Sequence, residues 1–159
     1  MLENSKEKII IGRAEKVRLP TLGNNMLFAR IDTGARTSSI WATNIVEMDD
    51  GLHVKFCSPE HEIYAYEMLF AHYDRVRVAS SMGNEQLRYK IKMPVVIGGR
   101  RILASFTLAD RSTQVYPVLI GRATLRGKFI VDVEKGTPLI EEERRRSAEL
   151  QANLIEEHV

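Results

Sequence analysis

Closely spaced turn signals restrict this chain more than any other feature of its sequence. Asp49-Asp50-Gly51 separates two apolar-rich runs, Ile40–Met48 and Leu52–Phe56, and Gly98-Gly99 separates Val95–Ile97 from Arg101–Leu108. Connections this short between short, β-branched runs predict antiparallel hairpins. A third hairpin is expected from Arg75–Ala79 and Leu87–Met93, which alternate charged and apolar residues around the turn-like Ser80–Glu85. Lys8–Leu19 and Met26–Ile31 are further strand candidates, divided by the turn residues Pro20 to Asn25. Glu60–Tyr73 mixes aromatics with Glu and has no clean period. The first 135 residues therefore read as mainly β, which suggests a small barrel or sandwich.

The last segment changes character. Thr137-Pro138 predicts a helix start, with Thr as N-cap and Pro at the first helical position. Glu141 to Glu143 follow where the helix dipole favours negative charge. From Leu139 onward there is no Gly or Pro, and Leu150, Leu154 and Ile155 make a narrow apolar stripe. The expected organisation is one β-barrel domain, residues 1–136, followed by a helical tail, residues 137–159. A chain of 159 residues is long enough to bury one real core.

Charge excludes little but discourages some partners. Twenty-three basic residues against 21 acidic ones give a formal charge of +2, too balanced to draw the chain to nucleic acid or an anionic membrane. The basic run Arg144 to Arg146 directly follows Glu141 to Glu143 and reads as a solvated helix face. The single cysteine, Cys57, excludes an intrachain disulfide and fits a reducing compartment. No run approaches the ~20 apolar residues of a membrane span, and no signal-peptide core is present at the N-terminus. The expectation is a cytoplasmic protein.

Three common chemistries lack their residues. His61-Glu62 begins like a zinc-binding HExxH, but Ala65 stands where the second ligand belongs. Gly98-Gly99-Arg100 lacks the Lys-Ser/Thr ending of a phosphate loop, and no GxSxG nucleophile elbow occurs. Neither a metal nor a cofactor is expected.

The remaining candidate is "FARIDTGARTSSIW", Phe28 to Trp41. A carboxylate at the end of an apolar strand is costly to bury unless compensated, although Asp-Thr-Gly also suits an ordinary surface turn. Its company decides between these. "YPVLIGRATL" follows at Tyr116 to Leu125, preceded by "IGGRRILASFTLAD" and by "RVRVASSMGNEQLRYKIK". The order of catalytic loop, flap hairpin, second hairpin and Gly-Arg helix resembles retropepsins over Met26 to Val133. More closely, "ARIDTGARTSSIWA", "DRSTQVYPVLIGR" and "GKFIVDV" resemble a bacterial family of retropepsin-like proteins known as ATP-dependent zinc proteases. That family includes the RimB-type partners of an ATP-grasp glutamate ligase, RimK.

The resemblance implies a closed small β-barrel of the retropepsin, or acid protease, type with one short internal helix and a C-terminal helix. It implies an aspartic endopeptidase in which Asp32 is catalytic, with Thr33, Gly34, Ala35 and Thr37 supporting the active-site loop. Leu119, Ile120, Gly121 and Arg122 would pack beneath it, and Ser81, Met82 and Gly83 would form a mobile flap tip over the substrate. Arg36 stands where many retropepsins carry an Asp that pairs with the Arg after Gly, so Arg122 needs another partner and Arg36 is free to meet substrate. Aspartic proteolysis uses two carboxyls around one water, and this chain has one Asp-Thr-Gly, so a twofold homodimer is expected. Acidic, glutamate-rich protein tails, such as that of a modified ribosomal protein, are the expected substrate, with the glutamate ligase as a partner. The alternatives are a peptide-binding or regulatory dimer of the same fold without turnover, and the zinc-dependent protease that the family's name suggests.

Overall fold

Strict alternation of apolar and polar residues folds the chain into sheets with one buried face. The computed structural model describes residues 7–79 and 83–157. Its strands are β1 (Ile9–Ile11), β2 (Ala14–Leu19), β3 (Asn25–Ile31), β4 (Ser38–Met48), β5 (Gly51–Phe56), β6 (Met68–Phe70), β7 (Asp74–Ala79), β8 (Glu85–Ile97), β9 (Arg100–Ala109), β10 (Val118–Ile120) and β11 (Phe129–Val131). The helices are α1 (Arg122–Leu125) and α2 (Ile140–Glu157), with one 3-10 turn at Glu62–Ala65.

The main sheet runs β10-β3-β2-β8-β9-β4, and β10 also pairs with β4, so these strands close into a ring. β5 and β6 continue from β4 outside the ring, and β7 pairs with the first half of β8. Inside lie Val17 and Leu19 of β2, Leu27 and Ala29 of β3, Ile91, Met93, Val95 and Ile97 of β8, and Phe106 of β9. Each large apolar side chain buried there contributes about 1.5–3 kcal/mol, which makes this face the main source of stability. β4 turns from the ring to β5 at a bulge between Ala42 and Asn44, where the Thr43 hydroxyl donates to the Cys57 carbonyl at 2.6 Å.

The three expected hairpins form, and the Gly98-Gly99 turn needs both glycines because their φ values are +55° and +81°. Other expectations need correction. Lys8–Leu19 is two strands: β1 leaves the ring and pairs in parallel with β11. Pro94 does not divide its run. β8 continues through it, because β7 stops pairing at Lys90 and β2 pairs only at Val96, so no neighbour on that edge needs a Pro94 N–H. The terminal helix starts at Ile140 rather than Pro138. Thr137 instead donates its N–H to the Ala14 carbonyl at 2.7 Å, which holds Thr137 against β2. No described residue of α2 is buried; the helix is anchored at its first turns, where Arg13 grips Glu143 and the Tyr116 hydroxyl accepts from Leu139 N–H. Among the described residues no helix is long and apolar enough to cross a membrane.

Candidate active site

β3 and β10 run parallel and side by side, with Ile31 opposite Ile120, so both segments leave the ring at the same end. Asp32 is the first residue after β3. Its N–H donates to the Ile120 carbonyl at 2.8 Å, which extends the ladder one step and fixes where the carboxylate begins. The half-buried side chain then turns back on its own loop: Oδ1 accepts from the Gly34 N–H at 2.9 Å and the Ala35 N–H at 3.2 Å. Among the described residues no hydrogen bond reaches Oδ2, which leaves that oxygen to solvent or an incoming group.

The β10–α1 segment straps this loop from below. Arg122 donates its N–H to the Ala35 carbonyl at 2.8 Å, and Ala123 donates to the Arg36 carbonyl at 3.0 Å. The partner that Arg122 lacks in sequence is the loop backbone itself: its guanidinium donates to the carbonyls of Gly34 at 2.7 Å and Thr33 at 3.3 Å. Gly121 permits the approach. A Cβ there would lie 2.5 Å from the Thr37 carbonyl oxygen and 2.9 Å from that of Ala35, both immovable backbone atoms. Leu119 and Ile120 supply the strand edge, opposite Arg30 and Ile31.

A buried hydroxyl pair locks the strap. Ser38 Oγ lies 2.7 Å from Thr124 Oγ1 and accepts from the Gly121 N–H at 3.0 Å. The Thr37 side chain is exposed, so the hydroxyl that holds the loop is its neighbour's. Nothing in sequence singles out Ser38, flanked by Thr37 and Ser39, or Thr124, between Ala123 and Leu125.

Charge gathers around Asp32. Arg111, half-buried, donates its Nε–H to the Tyr116 carbonyl at 2.8 Å. Burial holds its pKa below the ordinary arginine value, the nearby charges of Arg30 and Arg88 push the same way, and Asp32 opposes them. Arg111 thus feels the charges of two guanidiniums and of the Asp32 carboxylate, brought to it from two strands and a loop. Sequence reasoning missed this, because Asp110-Arg111-Ser112 looks like any polar turn. Arg88 belongs to β8, so the β7–β8 hairpin carries one of the charges that act on Arg111. At its tip, Gly83 has a φ of +80° and open space around its Cα, while Ser81 and Met82 lie outside the described residues. On the other flank, Thr33 and Arg36 join Arg122, Leu125, Phe129 and Val131 around an apolar-floored cavity of about 720 Å³.

The donor set does not suit zinc. His61 Nδ1 caps the 3-10 turn by accepting from the Ile63 N–H at 3.1 Å, and His53 sits between Asp50 and Glu67 at 2.8 and 3.3 Å. Among the described residues no three His, Cys, Asp or Glu side chains gather as a metal site. Burial pushes the Cys57 thiol up to about 12, so it is held as an inert thiol.

With a strand-end Asp-Thr-Gly strapped by a Gly-Arg helix, the comparison with known families becomes decisive. Residues 10–141 match the RimB-like family, described as retropepsin-like aspartic endopeptidase RimB. The chain belongs to that family. The RimB-like match begins within β1, takes in every later strand together with Asp32 and Arg122, and ends in the first turn of α2. A probable alpha-L-glutamate ligase of Shewanella pealeana is 33% identical over 133 residues, which are 80% of this chain and 29% of that protein. A protein of the same description from Parasynechococcus marenigrum is 31% identical, with 80% and 28% covered. The RimB-like chain therefore spans less than a third of the length of these relatives. A crystal structure of a Legionella pneumophila protein of unknown function aligns with a TM-score of 0.63 at 25% identity, covering 82% of this chain and 97% of that one.

Proposed function

We propose that the chain is an aspartic endopeptidase that works as a homodimer, two copies of Asp32 meeting around one water. The observation that carries this is the Asp32 carboxylate itself: one oxygen is fixed by two loop amides, and the other has no hydrogen-bond partner among the described residues. In the proposed reaction one carboxylate takes a proton from water as the water oxygen bonds to the peptide carbonyl carbon. The other, protonated carboxyl gives its proton to the carbonyl oxygen. The tetrahedral diol then breaks its C–N bond as a proton passes to nitrogen, releasing a carboxyl group and an amine.

The cavity beside Thr33 supports pairing, since Leu125, Phe129 and Val131 give it an apolar floor next to the loop that must meet its twin. Ile10 and Ile130, directly opposite each other on β1 and β11, are more than half exposed and add an apolar pair on the other face of this two-stranded ribbon. An acidic substrate, such as a glutamate-rich protein tail, is supported by exposed Arg36 and by the arginines around Asp32. The relatives described as probable alpha-L-glutamate ligases support a place beside a glutamate-adding enzyme.

Cleavage of a glutamate-rich peptide by the parent protein and by D32N tests the reading. Loss of cleavage in D32N with peptide binding retained is the expected result. Cleavage unchanged in D32N refutes it, and absence of cleavage by the parent from acidic to neutral pH favours a binding module. Arg36→Glu tests the substrate class: it abolishes preference for acidic over neutral peptides if Arg36 is a carboxylate anchor.

A further inference from the structure

A second cationic feature lies where α2 crosses the ring. Arg13, Arg30, Arg111, Tyr116, Glu143 and Arg146 line a cavity of about 550 Å³ between the helix, β3 and the loop after β9. Four guanidiniums face this space against one carboxylate. That carboxylate is already engaged: Arg13 donates to both oxygens of Glu143, at 2.6 and 3.1 Å. Arg146 has only a 3.6 Å contact with Glu149 on its own helix. Arg111 is oriented by its Nε–H bond to the Tyr116 carbonyl, and its two terminal nitrogens have no hydrogen-bond acceptor among the described residues. Neither is among the sealed, unpartnered atoms, so both remain accessible.

We infer that this cavity is an oxyanion site, with Arg111 and Arg146 as its principal donors and Arg30 adding charge. Crowding guanidiniums into a half-buried space is uphill unless an anion enters, because each loses hydration and repels the others. The depressed pKa of Arg111, caused by burial and by Arg30 and Arg88, reflects that crowding. Guanidinium groups from opposite walls suit a group with several oxygens, which can accept from more than one of them. The ligand chemistry is thus a carboxylate or a phosphate, supplied either by the acidic side chain of a bound peptide or by a free ion. The inference concerns binding; it shares Arg30 and Arg111 with the acidic-substrate reading but does not depend on cleavage at Asp32.

Calorimetric titration of the full chain tests it, with inorganic phosphate and an end-blocked triglutamate peptide as probes and sodium chloride at matched ionic strength as control. Saturable binding of at least one probe is expected, weakened tenfold or more in both Arg111→Met and Arg146→Gln. Binding of phosphate alone assigns the site to a free ion, and tighter binding of triglutamate, displaced by phosphate, assigns it to an acidic side chain. Either result upholds the site. Arg146 lies on a helix with no buried residue, so R146Q keeps the fold even where R111M does not. Absence of saturable binding to both probes, or affinity unchanged in R146Q, overturns the inference. These readouts do not depend on peptide cleavage, so failure here leaves the Asp32 proposal untouched.

Discussion

Replacing Gly121 with Ala puts one methyl group where the fold has no room. The added carbon would lie 2.5 Å from the Thr37 carbonyl oxygen, 2.6 Å from its carbon and 2.9 Å from the Ala35 oxygen. Relief to an ordinary contact near 3.4 Å requires the loop to retreat by about 0.9 Å. All three atoms are backbone, so no rotamer change can absorb the shift. Overpacking of this kind costs about 1–3 kcal/mol. The same displacement stretches the Gly121 N–H bond to buried Ser38, adding about 1 kcal/mol. A total of about 3 kcal/mol lowers the melting temperature of a domain this size by about 6–12 °C, read by circular dichroism. Peptide cleavage falls further than stability does, because the retreating backbone carries Asp32 with it. A melting temperature within about 2 °C of the parent, with cleavage intact, refutes the reasoning, since it means that the loop can yield where the geometry denies it.

Two further outcomes follow from the same contacts. Ser38→Ala leaves the Gly121 N–H and the Thr124 hydroxyl without their shared partner in a sealed space, and costs about 1–3 kcal/mol in urea unfolding; a loss below ~0.5 kcal/mol contradicts the lock. His53, bonded first to Asp50 and also facing Glu67, has its pKa raised above the ordinary 6.5, so NMR titration gives a midpoint above that value. Its contribution to stability is complete below pH 6.5 and fades as pH rises through the folded midpoint; a midpoint at or below 6.5 contradicts the ion pair.

The parts of the fold that local chemistry dictates were legible in the sequence. Tight turns at Asp49-Asp50-Gly51 and Gly98-Gly99 fix their hairpins because only particular residues adopt those angles. The Asp-Thr-Gly loop and the Leu-Ile-Gly-Arg strap could be read as a set because together, in this order, they resemble those of retropepsins. At Gly121 the close backbone approach explains the glycine. What escaped depends on contacts between distant segments. Thr137 and Pro138 look like a helix start, yet the Ala14 carbonyl captures the Thr137 N–H and delays the helix to Ile140. Leu87–Met93 and Val95–Ile97 read as separate runs, yet β8 passes through Pro94 because of the gap between β7 and β2. Arg111 comes within reach of the Asp32 charge only through the fold, which no spacing in the chain records. Arg36 stands out because it adjoins Asp32 in sequence, whereas the charges of Arg30 and Arg88 reach Arg111 from separate elements.

Cooperation between two copies of Asp32 is most directly tested by mixing. Parent and D32N chains, combined in varying ratio at fixed total concentration and allowed to exchange, are assayed for peptide cleavage. If both carboxyls of a pair are required, activity follows the square of the parent fraction, leaving about a quarter at equal proportions. Activity that falls in direct proportion, leaving about half, means that each chain acts on its own and contradicts the account.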